Sequence, residues 1–342
     1  MPLDPAVAAV RVAVRSMLVD VGDHCVLVAC SGGADSLALL AATVFEARHT
    51  AWQVVGVSVD HGLQHGSADQ AARVVEQMTT LGAEESIAVR VEVLMSGQGP
   101  EAAAREARYA VLTDVAEQKG SSVVLLGHTL DDQAETVLLG LARGSGGRSI
   151  AGMQRCSPPF RRPLLSITRA QTESACAAEG IDFWKDPHNE DPRFTRARVR
   201  HRVLPVLEAE LGPGVAAALA RTAEMLGEDL DSLDRAAESV LGRYHDHDGL
   251  PVHELETLDD AVRMRVLRLA ALRAGCAAGE LSRSHVRSVD ELVLSWHGQR
   301  WLDLPGHVQA YRAGGELRFR RAGETGEAGE AGEPDRPKPV AG

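Results

Sequence analysis

The residues with the clearest chemistry are Ser31-Gly32-Gly33-Ala34-Asp35-Ser36, set between a short apolar run (26–30, VLVAC) and a helical pattern (34–48). A strand that ends in such a turn and resumes as a helix presents backbone N–H groups at the positive end of a helix dipole. Two glycines let an anion approach that backbone closely, and Ser31 and Ser36 add hydroxyl donors. The pattern suits pyrophosphate better than the plain alternative, a tight turn capped by Asp35. Asp35 is the odd member, because a carboxylate repels phosphate. Either Mg²⁺ bridges it to the phosphates, or the helix start simply favours an acid there. No lysine follows a glycine anywhere in the chain, which excludes a Walker A loop.

Other polar clusters follow predicted strands. Asp60-His61-Gly62-Leu63 ends the run 52–60, so His61 faces the same crevice as the loop or is a surface turn histidine. In 101–109 (EAAAREARY), Glu101, Arg105 and Arg108 fall at helical spacings, open both to function and to a solvated Glu101–Arg105 pair. Within 127–136 (GHTLDDQAET), His128 and Asp132 share a helix face if the turn is helical, and Asp131 and Asp132 crowd two negative charges at a helix start. Such a cluster can cap the helix, coordinate Mg²⁺ or receive an ammonium group. Five arginines lie in 193–202 (Arg193, Arg196, Arg198, Arg200, Arg202), either a solvated basic helix or a phosphate-binding surface.

Strands must carry these clusters on one sheet edge. Predicted strands at 26–30, 52–60, 88–94 and 122–128 alternate with predicted helices at 34–48, 67–82, 100–119 and 131–143. That alternation implies an α/β fold, a doubly wound parallel sheet covered on both faces, whose ligands sit beyond the carboxyl ends of the strands. Loop signals (GSGG, CSPPFRRP) follow Arg143, and a helix is expected near 169–180, closed by Gly180. From 207 the pattern is helical (214–243, 257–275, 284–296), then Gly314-Gly315 suggests a hairpin within 300–321. The expected organisation is a catalytic domain over 1–206, a smaller mainly helical domain over 207–321 and a disordered Gly/Glu/Pro-rich tail over 322–342.

Charge is distributed unevenly over these parts. The net charge is −12, but residues 143–205 alone carry 12 basic and 6 acidic side chains. That basic middle, with Arg105, Arg108, Arg143 and Arg148, is the expected polyanion-facing surface. The five cysteines form no C-x-x-C pair and read as reduced thiols. The N-terminus reads as an amphipathic helix, not a signal peptide, and no apolar run approaches the ~20 residues of a membrane span. A cytoplasmic protein with no membrane partner is expected.

The loop resembles the PP-loop of N-type ATP pyrophosphatases, which cleave ATP between the α and β phosphates and adenylate a substrate. Two later segments choose within that superfamily. GHTLDDQAETVLLGLARGSGGRSIAGM (127–153) closely resembles the signature of the tRNA(Ile)-lysidine synthetase family. WKDPHNEDPRFTRARVRHRVLP (184–205) resembles that family's stretch from Trp-x-x-Asp to Arg-x-x-hydrophobic-Arg-His. The similarity covers 26 to about 205; from 207 on it rests on position, length and helical character. One departure is Arg196-Ala197-Arg198, where the family commonly reads Arg-Asn-Arg. The resemblance implies ATP as co-substrate with Mg²⁺ at Asp35, and L-lysine and a CAU-anticodon tRNA(Ile) as partners. Lysidine forms at the wobble cytidine, with release of AMP and pyrophosphate. It assigns Ser31, Gly32, Gly33, Ala34, Asp35, Ser36 and His61 to ATP. Asp35, Arg108, His128, Asp132 and Arg200 become the catalytic set, and Arg196, Arg198 and Arg202 the tRNA contacts. Oligomeric state stays open, a homodimer among the options. Two alternatives remain: tRNA thiolation on the same fold, against which the missing Cys pairs speak, and a nucleotide-binding module without catalysis.

Overall fold

A computed structural model describes residues 3–22, 25–60, 62, 66–91, 100–144, 146–186, 190–245 and 249–322. Its elements divide into two compact units, Met1–Gly227 and Glu228–Gly342. The division falls inside a long helix, later than the change of pattern at 206–207. His61 and residues 323–342 lie outside the described residues.

The first unit begins with α1 (Pro5–Met17), whose Asp4 side chain caps the Ala6 N–H at 2.8 Å. There follow β1 (Cys25–Ala29), α2 (Ala34–Ala47), β2 (Gln53–Asp60), α3 (Ser67–Thr80), β3 (Glu85–Arg90), α4 (Pro100–Lys119), β4 (Val123–Leu126) and α5 (Leu130–Arg143). Short elements come next: α6 (Gly147–Ile150), β5 (Cys156–Ser157), β6 (Phe160–Arg161) and a 3-10 turn (Pro163–Ser166). Then come α7 (Arg169–Glu179), α8 (Thr195–Arg198), a π-helical turn (Val199–Val203), α9 (Leu204–Leu211) and α10 (Val215–Leu241).

Among the described residues the sheet runs β3-β2-β1-β4-β6-β5, parallel except for the β5–β6 pair. The expected doubly wound parallel sheet is present. Its central strands are apolar on both faces because both are covered. Val26 and Val28 pack with α1, α2, α3 and α7, whereas Leu27, Val55, Val57 and Val124 pack with α4 through Leu112, Val115 and Ala116. Strand β1 lies between β2 and β4: the chain runs from β1 to β2 and β3 on one side, then crosses back to add β4 on the other. Its carboxyl end is therefore a topological switch point, where a crevice opens. The segment CSPPFRRP, expected as a loop, adds the short pair β5–β6 instead, turning at a cis Pro158–Pro159 bond.

The second unit holds the end of α10, then β7 (Leu250–Pro251), α11 (Val252–Glu256), α12 (Asp260–Arg273), α13 (Arg283–Leu294), β8 (Leu302–Leu304), β9 (Val308–Ala313) and β10 (Glu316–Arg321). Helices dominate, as expected, and the Gly314-Gly315 hairpin joins β9 to β10. Sequence patterning missed that this hairpin belongs to a four-stranded antiparallel sheet, β7-β10-β9-β8. Its inner residues Val308, Ala310 and Leu317 pack on Val266, Leu267, Val286 and Val289. Among the described residues no single helix is long and apolar enough to cross a membrane.

Candidate active site

The loop Ser31–Ser36 leaves β1 at the switch point and becomes the first turn of α2. Gly32 has φ +82°, and a Cβ there would lie 2.6 Å from Cγ2 of Val74. Only glycine meets both demands. The Gly32 carbonyl accepts the Trp184 N–H (2.9 Å), so the segment that follows α7 braces the loop. Ser36 Oγ donates to the Gly33 carbonyl (2.9 Å) and accepts from the Ser31 N–H (3.2 Å), which closes the turn internally. Gly127, just past β4, lets that strand approach the loop: a Cβ there would sit 3.1 Å from the Asp35 carbonyl carbon and the Ser36 nitrogen.

A cleft of about 670 Å³ opens over this turn. It gathers Ser31, Gly33, Asp35 and Ser36 with Arg108, His128, Asp132 and Arg200, residues that sequence reading drew from four separate segments. His128 does not share a helix face with Asp132, because α5 begins at Leu130. Thr129 caps that helix, and Asp132 accepts from the Thr129 N–H (2.9 Å) and hydroxyl (3.1 Å). The two residues still meet in the cleft, one before the cap and one within the first turn.

Arg169 ties the polar groups together, and sequence reading missed it. Its Nε donates to Asp35 (3.3 Å), its Nη2 to Asp132 (2.9 Å), and its backbone N–H to Asp131 (2.7 Å). Thr172, one turn on, donates its hydroxyl to Asp35. A cation at the first position of a helix opposes the dipole, so Arg169 needs these carboxylates nearby. That unfavourable placement was the available signal. Glu135 was missed as well: it is fully buried and pairs with Arg200 at 2.6 and 3.1 Å, while Arg200 also reaches Asp132 at 3.2 Å. Arg200 sits in the π-helical turn, a local widening common at functional sites. Its guanidinium is thereby engaged with two carboxylates.

Burial and charge set the protonation states. Burial pushes the Asp35 carboxyl above its usual range, with Arg169 and Thr172 opposing. Burial also acts against ionised Asp132, but Arg169, the Thr129 N–H and Arg200 outweigh it and hold this carboxyl low. His128 is driven down to about 3 by burial, reinforced by Arg162, Arg108 and Arg105. It is therefore a neutral imidazole at neutral pH, and its Nδ1 is buried without a hydrogen-bond partner among the described residues. Burial lowers Arg108 too, although a guanidinium stays charged at any physiological pH. Arg108 makes no hydrogen bond or ion pair among the described residues, which leaves its donors free for a ligand. Burial pushes Cys30, which also lines the cleft, up to about 12, so it is a thiol and not a nucleophile.

The three arginines expected at RNA differ in what they hold. Arg198 donates to the carbonyls of Pro192 (2.8 Å) and Arg193 (3.0 Å) and to the Thr195 hydroxyl (3.0 Å). Its donors fix the turn before α8. Arg196 donates to Thr136 at 3.2 Å, and Arg202 is exposed. Ala197 is buried, 5% exposed.

Residues 8–207 match the PP-loop domain family, and residues 250–318 match the TilS substrate binding domain family. The tRNA(Ile)-lysidine synthase of Streptomyces coelicolor is 46% identical over 93% of this chain and 99% of its own length. That of Thermobifida fusca is 49% identical over 92% of this chain and 97% of its own. Among solved structures, the U34-tRNA thiolase NcsA of Methanococcus maripaludis, bearing a 4Fe–4S cluster, superposes with a TM-score of 0.54. It is 19% identical and covers 65% of this chain and 80% of its own, a likeness of fold alone. With a PP-loop domain match over more than half of the chain and relatives this similar along nearly their whole length, the chain belongs to the tRNA(Ile)-lysidine synthase family.

Proposed function

We propose that this chain forms lysidine on tRNA(Ile) by activating the wobble cytidine with ATP and displacing the activated oxygen with L-lysine. The single observation that carries the reading is the cleft. It joins an anion-binding turn to paired carboxylates, a neutral imidazole and an unpaired arginine. The C2 carbonyl of cytosine is a poor electrophile with a very poor leaving group. Transfer of AMP to O2 turns that oxygen into a good leaving group and releases pyrophosphate. Attack of the lysine amine on C2 then expels AMP.

The residues fit these steps. The N–H groups of the turn that are not used internally, with the Ser31 hydroxyl, take the pyrophosphate. Arg108, with its donors free, stabilises phosphate charge as it develops. Asp132 supplies negative charge for an ammonium group, and neutral His128, whose buried Nδ1 has no partner among the described residues, can accept a hydrogen bond from the amine. The base has to enter the cleft unstacked, as a loop nucleotide can.

Mg²⁺ fits as a partner of bound nucleotide. No group of three metal-ligating side chains exists among the described residues, so these residues alone build no cage. Asp35 offers one carboxylate at the phosphate turn, and Mg²⁺ commonly needs only one or two carboxylates beside phosphate oxygens. When bound there, the ion offsets charge at the phosphates. A cytoplasmic enzyme acting on free tRNA accords with this chemistry. Asp35→Ala should abolish pyrophosphate release while tRNA binding measured by filter retention changes less than about twofold; normal turnover in that variant would remove Asp35 from the reaction.

A further inference from the structure

The second unit presents a sheet face with an unusual set of side chains. Val308, Ala310 and Leu317 point into the core with no exposure, so Gln309, Tyr311, Arg318 and Arg320 point the other way. Register sets Arg318 opposite Tyr311 and Arg320 opposite Gln309. Trp301, immediately before β8, is 43% exposed. The Arg320 guanidinium lies 4.9 Å from the Tyr311 ring centroid and 5.8 Å from that of Trp301, and its Nε donates to Gln309 at 3.1 Å. Two aromatic rings thus flank one cation on the outside of a sheet.

Structural reasons alone do not require this arrangement. An exposed cation–π contact stabilises by only about 0.5–1 kcal/mol, and the chain has few aromatics to spend: four tryptophans and three tyrosines. An open Trp301 beside a half-buried Tyr311 on the same face marks an interaction surface. Its charge indicates the occupant. Residues 300–321 carry five arginines against Asp303 and Glu316, in a chain of net charge −12. Arg318 is held by Glu316 at 2.6 Å, but both are accessible, and such surface pairs exchange easily for phosphate. Flat rings and guanidinium planes beside basic groups are the means by which proteins stack unpaired bases.

We infer that the outward face of β8, β9 and β10, centred on Trp301, Tyr311 and Arg320, stacks an unpaired nucleotide of the RNA substrate. This rests on the reading above that the substrate is a tRNA. The face would then grip the RNA at a point of its own, adding affinity beyond the cleft that does the chemistry.

The test uses the full chain and tRNA(Ile) bearing a CAU anticodon. Trp301→Ala with Tyr311→Ala, and separately Arg320→Gln, should each raise the Kd for tRNA by about 5- to 100-fold, with unfolding midpoints unchanged. Trp301→Phe, which keeps a ring, should restore most of the affinity. In the wild type a short single-stranded oligoribonucleotide should quench tryptophan fluorescence, and the same sequence in a duplex should not. The quench should be reduced in Trp301→Phe. Unchanged tRNA affinity in both folded ring and arginine variants would overturn the inference. Equal binding of single strand and duplex, with equal losses in the variants, would reduce the face to a charge contact and overturn stacking. A wild-type chain that releases pyrophosphate with tRNA while the variants bind normally would sink this surface alone; no tRNA-dependent release by the wild type would sink the functional reading instead.

Discussion

Asp35 and Asp132 stand on different elements, yet one guanidinium holds both, and this shared cation shapes the site more than any single predicted residue. Arg169 pairs with Asp35 and Asp132 at once and so fixes the two carboxylates in place. Arg169→Gln should therefore lower kcat for pyrophosphate release by about 100-fold through misplacement, with a smaller change in KM for tRNA. Arg169→Lys, which keeps the charge, should recover part of the loss. Equal rates in the wild type and Arg169→Gln would show that the carboxylates position themselves. Asp35, Arg108, His128, Asp132 and Arg200 were legible because each lies in a distinctive polar motif beside a predicted strand or in the arginine-rich stretch. Arg169 and Glu135 were not, since a single Arg at a helix start and a single Glu inside a helix look like solvated surface. Only the fold reveals that Glu135 is fully buried against Arg200.

At the scale of elements, the phosphate turn depends on how closely β1, α2, α3 and β4 approach one another. Gly32→Ala would force a side chain into a left-handed backbone and against Val74. It should cost about 1–3 kcal/mol of stability in urea unfolding and remove most pyrophosphate release. Unaltered stability and rate would mean the turn relaxes at no cost. The arginine-rich segment divides by element too. Arg198 locks the turn into α8, so Arg198→Ala should lower the unfolding midpoint. Exposed Arg202 is free for phosphate, so Arg202→Ala should weaken tRNA binding and reduce the slope of log Kd against log salt by about one. An unchanged slope would mean that Arg202 faces away from the RNA. Long periodic elements, from β1 to α5, were readable because a buried parallel strand and its covering helix each carry an apolar signature. The pairs β5–β6 and β7–β10 were not, because two-residue strands have no period to read and are defined by their partners.

For the whole molecule, uneven charge and two units fit a division between chemistry and recognition. Residues 143–205 are basic and complete the cleft, and the second unit carries its own basic face on a sheet that sequence patterning showed only as a hairpin. The PP-loop match accounts for ATP use, and the lysidine synthase relatives for the RNA; what joins them is the transfer of lysine to one base. The most direct measurement incubates the full chain with ATP, Mg²⁺, labelled L-lysine and a tRNA(Ile) transcript bearing a CAU anticodon. The account expects ATP-dependent label in the RNA, approaching one lysine per transcript, with AMP and pyrophosphate formed in step and no label when the wobble cytidine is replaced by uridine. Pyrophosphate release that continues without tRNA, or a transcript that stays unlabelled while ATP is consumed, would contradict it.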